Sequence, residues 1–232
     1  MAMMHTVHLW HRWGTLTEAV RRGTRVETPE PPGDQTEAFI AAMHQNASAR
    51  AHVVAEAIDL TSRRRMLDIG GGSGAYSITF ARANPGLEAI VFDRPQVIPI
   101  AERHIREAGL GARVTTVPGD FGRDPFPREC DLALLSAIAH MNSPAENLAL
   151  LGKTFDALAP GGQVVIQDFI LSPDRTQPRA GALFAINMLV NTSGGNSYTE
   201  PEYRAWLEKV GFLDVRLIAL PGATGLVVGT RP

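Results

Sequence analysis

The sequence predicts an α/β fold in which a mostly parallel sheet, finished by an antiparallel terminal hairpin, lies under an N-terminal helical cap. Three observations predict it. From Arg65 onward, short β-branched runs alternate with amphipathic stretches of helical period, the pattern of strand–helix units that build a parallel sheet covered on both faces. The first strand runs into a glycine-rich turn, Gly70-Gly71-Gly72-Ser73-Gly74. The chain then ends on two strands joined by a turn too short for a parallel return, which makes them antiparallel.

Taken in order, His8 to Arg22 places Leu9, Trp13, Leu16 and Val20 at helical spacing, with Gly23 as the C-cap. Thr28 to Gln35 carries Pro29, Pro31, Pro32 and Gly33 and reads as a linker or extended arm. Thr36 to Leu60 is alanine-rich and helical, with Asn46 the point where it could break. Strands are expected at Arg65–Ile69, Glu88–Phe92, Arg113–Val117, Asp131–Ser136 and Gln163–Phe169. Helices are expected at Ala75–Ala83, Gln96–Ala108 and Ala145–Leu158. A helix over Glu200–Val210 closes at Gly211, and strands Asp214–Leu220 and Leu226–Thr230 flank the turn Pro221–Gly225. Residues 1–60 therefore read as a helical cap and linker, and 61–232 as the main α/β domain.

An apolar fraction of 44% and a charged fraction of 20% over 232 residues suit an ordinary globular protein with a core of useful size. The net charge of −2 argues against a general electrostatic grip on nucleic acid. The short clusters Arg21, Arg22, Arg25 and Arg63-Arg64-Arg65 read as solvated edges. The one cysteine, Cys130, precludes an internal disulfide, fits a reducing compartment and reads as a small core residue. The first twenty-odd residues hold no apolar stretch long enough for a signal peptide or membrane span, so the cytoplasm is the expected compartment. No metal site is expected.

Leu67-Asp68-Ile69-Gly70-Gly71-Gly72-Ser73-Gly74 is the strongest local signal: a turn at a strand's carboxyl end that opens a helix, where ligands of such sheets sit. Alone it is ambiguous, because Gly70-x-Gly72-x-x-Ala75 also fits a dinucleotide fingerprint. Asp68 could help hold an ammonium through the turn, and Asp93, ending the second strand, could accept both ribose hydroxyls. Asp93 suits NAD as well as S-adenosylmethionine (SAM). Gly119-Asp120-Phe121 after the third strand, a carboxylate for an adenine amine beside an apolar ring, tips the reading to SAM. So does the terminal hairpin, since a nicotinamide-type sheet continues with parallel strands. The fold expected is thus a Rossmann-like SAM-methyltransferase sheet.

With these residues in view, the chain resembles the class I SAM-dependent O-methyltransferases of the plant caffeate and bacterial polyketide or hydroxyindole type. The likeness runs from Leu9-Trp10-His11-Arg12-Trp13-Gly14 to the last strand. Its most specific parts are the glycine motif, Gly119-Asp120-Phe121, Leu135-Ser136-Ala137-Ile138-Ala139-His140, Val165-Ile166-Gln167-Asp168-Phe169 and Thr199-Glu200-Pro201-Glu202-Tyr203. The resemblance implies that His140 is the general base and that Asp168 orients it, one methylene shorter than the usual glutamate. A phenol of pKa near 10 stays protonated at neutral pH, so a base near 6.5 helps only as the methyl moves. The competing readings are that His140 caps the helix starting near Pro144 and that Asp168 caps a loop. The resemblance further places Ser136 near the cofactor and Trp13, Met43, Met188 and Asn191 around the acceptor, although any of these four could be plain core. His44 is a further pocket candidate, with a satisfied helix histidine as its competing reading.

The sequence departs from the family pattern at two points: Ser197 stands where a second glutamate is usual, and Met141-Asn142 replaces the usual Asp-Trp. Relatives also carry a winged-helix-like dimerisation domain before this region, so the chain is either a fragment or a short form with altered assembly. Apolar faces at Leu9, Trp10 and Trp13 could pair two copies into a homodimer. The expected activity is methyl transfer from SAM to a hydroxyl of a small, aromatic acceptor, leaving S-adenosylhomocysteine. The alternatives are a SAM-retaining member with non-methylating chemistry (decarboxylation, hydroxylation or a pericyclic step) and a non-catalytic SAM-binding subunit.

Overall fold

The computed structural model describes residues 10–28 and 36–232. Leu9 and the Pro29–Gly33 run lie outside the described residues. Residues 10–13 are helical, and after a turn at Gly14-Thr15 the chain resumes as α1 (Leu16–Arg22), closed at Gly23, whose N–H donates to Ala19. The expected single helix is thus two pieces. Ala19, not Val20, is the buried residue of α1, and Val20 is 62% exposed. Next, α2 (Thr36–Ala57) passes Asn46 without a break, because its tertiary packing holds the helix through the polar stretch.

The sheet follows: β1 (Arg65–Ile69), α3 (Ala75–Ala83), β2 (Glu88–Asp93), α4 (Ile98–Glu107), β3 (Val114–Pro118), β4 (Cys130–Ser136), α5 (Pro144–Ala157) and β5 (Leu158–Asp168). Two short strands, β6 (Ile170–Leu171) and β7 (Tyr198–Thr199), bracket α6 (Arg179–Asn191). The chain closes with α7 (Glu200–Val210), β8 (Leu213–Ala219) and β9 (Gly225–Thr230). The sheet order is β3-β2-β1-β4-β5-β9-β8, parallel through β5 and antiparallel at β5–β9 and β8–β9. Strand order reverses between β1 and β4, which opens the crevice beyond their carboxyl ends. β5 begins five residues earlier than the expected Gln163, across an irregular pairing of Leu158 with Cys130.

Side chains alternate across the strands, and both faces are covered. Leu67, Ile69 and Phe92 pack with Leu150 and Leu151 of α5 and Tyr203 and Leu207 of α7. Met66, Val91 and Leu134 pack with Val54 of α2, Phe80 of α3 and Ile105 of α4. Cys130 is buried, as expected of a core residue, and burial pushes its thiol up to about 11. The arginine clusters serve local ends: Arg22 pairs with Glu18 at 2.8 Å, and the Asp131 carboxylate accepts the backbone N–H groups of Arg64 and Arg65.

α6 and the β6–β7 pair had no counterpart in the sequence reading. Ala182-Leu183-Phe184-Ala185-Ile186 is apolar on every side, so no amphipathic period announces a helix there.

Candidate active site

The glycine turn is built against its neighbours. Gly70 N–H donates to Phe92 O at 2.8 Å, at a φ of 65°. A Cβ on Gly70 would lie 2.4 Å from Ile138 Cδ1 and 3.8 Å from Phe121 Cδ1, so the turn passes directly beneath those two side chains. At Gly72 (φ 57°) the space is open instead, with only Ile40 Cδ1 at 3.8 Å from such a Cβ. Its N–H donates to Asp93 Oδ2 at 2.8 Å, and Arg94 N–H donates to Asp93 Oδ1 at 2.7 Å.

Burial raises the Asp93 carboxyl above its usual range against those two donors. Asp68 is 1% exposed, accepts from Ser77 Oγ at 2.7 Å, and burial lifts it to about 6. Ser73 Oγ and His44 Nδ1 share a hydrogen bond of 2.7 Å, and the His44 ring stacks on His104 at 4.1 Å. His44 therefore latches α2 to the turn, the satisfied-helix reading.

Of the pair after β3, Phe121 reaches the turn. Asp120 folds back on its own loop: Oδ1 accepts Gly122 N–H at 2.7 Å, with Arg123 Nε at 4.0 Å from Oδ2. At the end of β4, Ser136 Oγ donates to Gln167 Oε1 at 2.7 Å, and Tyr76 OH donates to the same oxygen at 3.2 Å. Gln167 thus ties Ser136 to the helix after the turn, a role that sequence reasoning missed although Gln167 directly precedes Asp168.

His140 sits on a short 3₁₀ turn (Ala139–Met141) just past β4, after Ala137 at φ 58°. Its Nδ1 lies 2.8 Å from Asp168 Oδ1, and its backbone N–H donates to Asp168 Oδ2 at 3.1 Å. Phe169 N–H also donates to Oδ1, at 2.8 Å. Both side chains are buried, His140 at 8% and Asp168 at 2% exposure. Because the carboxylate can only accept, Nδ1 carries the hydrogen and Nε2 is left with its lone pair. The edge of the Phe184 ring closes on the imidazole at 4.7 Å. The capping reading fails for His140: α5 is capped by Ser143, whose Oγ accepts Glu146 N–H while Glu146 reaches back to Ser143 N. The loop-capping reading of Asp168 holds in part, alongside its contact with the imidazole.

Ser197, at the usual glutamate position, is buried and donates to Gly181 O at 3.0 Å. Met141 is 45% exposed, and Asn142 O accepts from Tyr198 OH.

The acceptor-side residues divide. Trp13 Nε1–H and Asn191 Nδ2–H each donate to Asn187 Oδ1 at 3.0 Å, so they meet at a residue sequence reasoning did not single out. Met188 is buried at 5% exposure and Met43 is half-buried on α2. Phe184, also missed, stacks on Phe169 at 4.5 Å. Phe184, Met188 and Asn191 share one helical face of α6.

The O-methyltransferase domain model matches residues 27–213. The chain belongs to that family. It is 37% identical over 228 residues to a 3-hydroxy-5-methyl-1-naphthoate 3-O-methyltransferase of Streptomyces sahachiroi, covering 94% of this chain and 66% of that protein. It is 31% identical over 239 residues to the tetracenomycin polyketide synthesis 8-O-methyl transferase of Streptomyces glaucescens, covering 100% of this chain and 70% of the other. Human N-acetylserotonin methyltransferase in complex with SAM superposes with a TM-score of 0.84 at 28% identity, over 95% of this chain and 66% of that one. The chain thus spans about two thirds of these relatives' lengths. Among the described residues, no helix is long and apolar enough to cross a membrane.

Proposed function

We propose that the protein is a SAM-dependent O-methyltransferase of small aromatic hydroxy compounds, with His140 as general base. The observation that carries the proposal is the His140 Nδ1–Asp168 Oδ1 contact of 2.8 Å, buried beyond the strand ends that also carry the glycine turn. The residues of the turn fit the cofactor. Gly72 faces open space, Asp93 keeps unused lone pairs beside it, and the Asp68 and Asp93 carboxyls are both buried and raised by that burial. Asp93 would hold the ribose hydroxyls, Phe121 would flank the adenine with Asp120 at its rim, Gly70 and Gly72 would approach the backbone of the ligand, and Ser136 would complete the wall. When bound, SAM supplies an electrophilic methyl on a sulfonium and leaves as S-adenosylhomocysteine.

The chain's own part is alignment and proton transfer. Nε2 of His140 takes the acceptor's hydroxyl proton as the oxygen gains its methyl, and Asp168 keeps the ring oriented and stabilises the imidazolium. Trp13, Met43, Met188 and Asn191 would wall the acceptor, with residues 1–60 as the cap over the domain of 61–232. Aromatic acceptors suit Trp and Met walls, and the naphthoate and tetracenomycin relatives support that class. Two copies would pair through the exposed Trp10 face (80% exposed), which sedimentation velocity would show as a dimer.

Transfer of tritium from labelled SAM to a panel of naphthols and phenols tests the activity. In His140→Ala, turnover should fall about 10²–10⁴-fold with S-adenosylhomocysteine affinity kept. Wild-type turnover in that variant would remove His140 from the mechanism.

A further inference from the structure

One helix, α5, is bonded to both ends of the site. Near its start the Asn147 side chain donates to Ala139 O at 2.9 Å, in the 3₁₀ turn that carries His140. Further along the same helix, Lys153 reaches the loop that follows β3. Its Nζ donates to Phe121 O and, at 3.1 Å, to Asp124 O. It also lies 4.9 Å from the centre of the Phe126 ring, over its face. An ammonium has three N–H groups, and two carbonyls and a ring face occupy them.

The loop's other ties run to β2 and to itself. Gly119 N–H donates to Asp93 O at 2.8 Å, and a Cβ on Gly119 would collide with the Phe92 ring, so the backbone runs hard against that side chain. Phe126 meets the same ring edge-on at 5.0 Å. Between these anchors the chain folds back. Asp124 Oδ2 accepts Asp120 N–H at 2.7 Å, and Asp120 O accepts the N–H groups of Arg123 and Asp124 at 3.0 and 2.8 Å. Gly122 to Pro125 are exposed. Backbone bonds in an exposed tip with little apolar area buried around them open at low cost. The loop's place therefore depends on a tie from outside it. Lys153 supplies one, gripping the carbonyls on either side of Gly122-Arg123. The same loop carries Asp120 and sets Phe121 against the glycine turn, 3.8 Å from where a Gly70 Cβ would stand.

We infer that Lys153 is a positioning residue for the adenine side of the SAM site: from α5 it fixes the Asp120–Asp124 loop, so that Phe121 and Asp120 stand in place before the base arrives. The inference rests on the proposed placing of those two residues around the adenine. Ordering the loop in advance removes a cost that binding would otherwise bear.

Lys153→Met keeps the length of the side chain and removes its charge and donors. By calorimetry, S-adenosylhomocysteine and 5′-methylthioadenosine, which both carry adenine, should each bind roughly fivefold to tenfold more weakly, the scale of one net hydrogen bond. S-Ribosylhomocysteine, which has the amino acid and the ribose without the base, should bind variant and wild type alike. In turnover the KM for SAM should rise with kcat unchanged. The Arg123 and Asp124 amide hydrogens should exchange faster in the ligand-free variant. Lys153→Arg, which restores charge and donors, should recover most of the affinity.

Unchanged affinity for the two adenine ligands would overturn the inference. Equal loss for all three ligands would do the same, because the substitution would then be loosening the whole domain. Phe121→Ala tests the reading beneath it and should weaken the same two ligands while sparing the third. If Phe121→Ala binds all three like wild type, the adenine does not meet this loop and the inference falls with that reading. A loss in Phe121→Ala without one in Lys153→Met would sink the Lys153 inference alone.

Discussion

The glycine turn and the His140 corner lie at neighbouring strand ends, yet their carboxylates are managed in opposite ways. Asp68 and Asp93 are buried with two or fewer strong donors each, and burial raises both. Asp168 is as deeply buried but accepts three donors, one of them the ring that would carry the balancing charge. The turn is an electrostatically incomplete place that a cationic ligand would complete. The base corner is complete within the protein. On the proposed reading, the difference implies that affinity for the donor and the speed of transfer would reside in separate carboxylates and should separate on mutation.

The largest effect should come from the complete pair. Asp168→Asn leaves an amide that can present N–H to Nδ1, which turns the imidazole to the wrong tautomer and leaves Nε2 protonated. Turnover should fall by on the order of 10²–10⁴, with SAM affinity by calorimetry within about twofold. A matching loss of SAM affinity would erase the division between the two regions.

The incomplete side should answer to pH instead. Asp68 rises from its ordinary 3.8 to about 6 in the fold, so its contribution to stability is full in acid below the unfolded value and is lost as pH rises through about 6, a span of about 3 kcal/mol. Asp68→Asn, which keeps an oxygen for Ser77 Oγ, should therefore melt higher than wild type at pH 8 and no higher at pH 4. A cationic ligand favours the ionised form, so wild-type SAM affinity should tighten about tenfold from pH 5 to pH 7. Asp93, raised in the same direction, carries whatever slope survives in Asp68→Asn. A wild-type affinity flat across that range would show that Asp68 does not face the ligand's charge.

The same contrast marks what could be read from the residues alone. The cradle was legible because its chemistry is local: a strand, a glycine run and an acid one strand on, each at a place the α/β topology brings together. The bounds of β1, α3 and α7 came out residue for residue. The base corner was half legible. His140 and Asp168 stand 28 residues apart, and only the parallel pairing of β4 with β5 sets them together. Asp120 was read as facing the ligand; its Oδ1 also accepts Gly122 N–H, a short-range bond that shares the carboxylate with any distant use. The acceptor wall was least legible. α6 is apolar all round, and Asn187, which joins Trp13 to Asn191, has no motif around it.

That wall gives the smallest and most selective effect. The Trp13 indole N–H is tied to Asn187 Oδ1 at 3.0 Å on a half-exposed surface, so the bond contributes about 1 kcal/mol or less. Trp13→Phe keeps an aromatic wall and drops the bond. Asn187 still holds Asn191 through its side-chain oxygen, so the helix face of α6 stays in place. The acceptor KM should rise a few-fold, about what one such hydrogen bond is worth, with kcat and SAM affinity unchanged. Because neither Asp93 nor Asp168 touches this contact, a change in SAM affinity here would mean that the cap and the cradle are one mechanical unit, and the two-region division would have to be redrawn along α2.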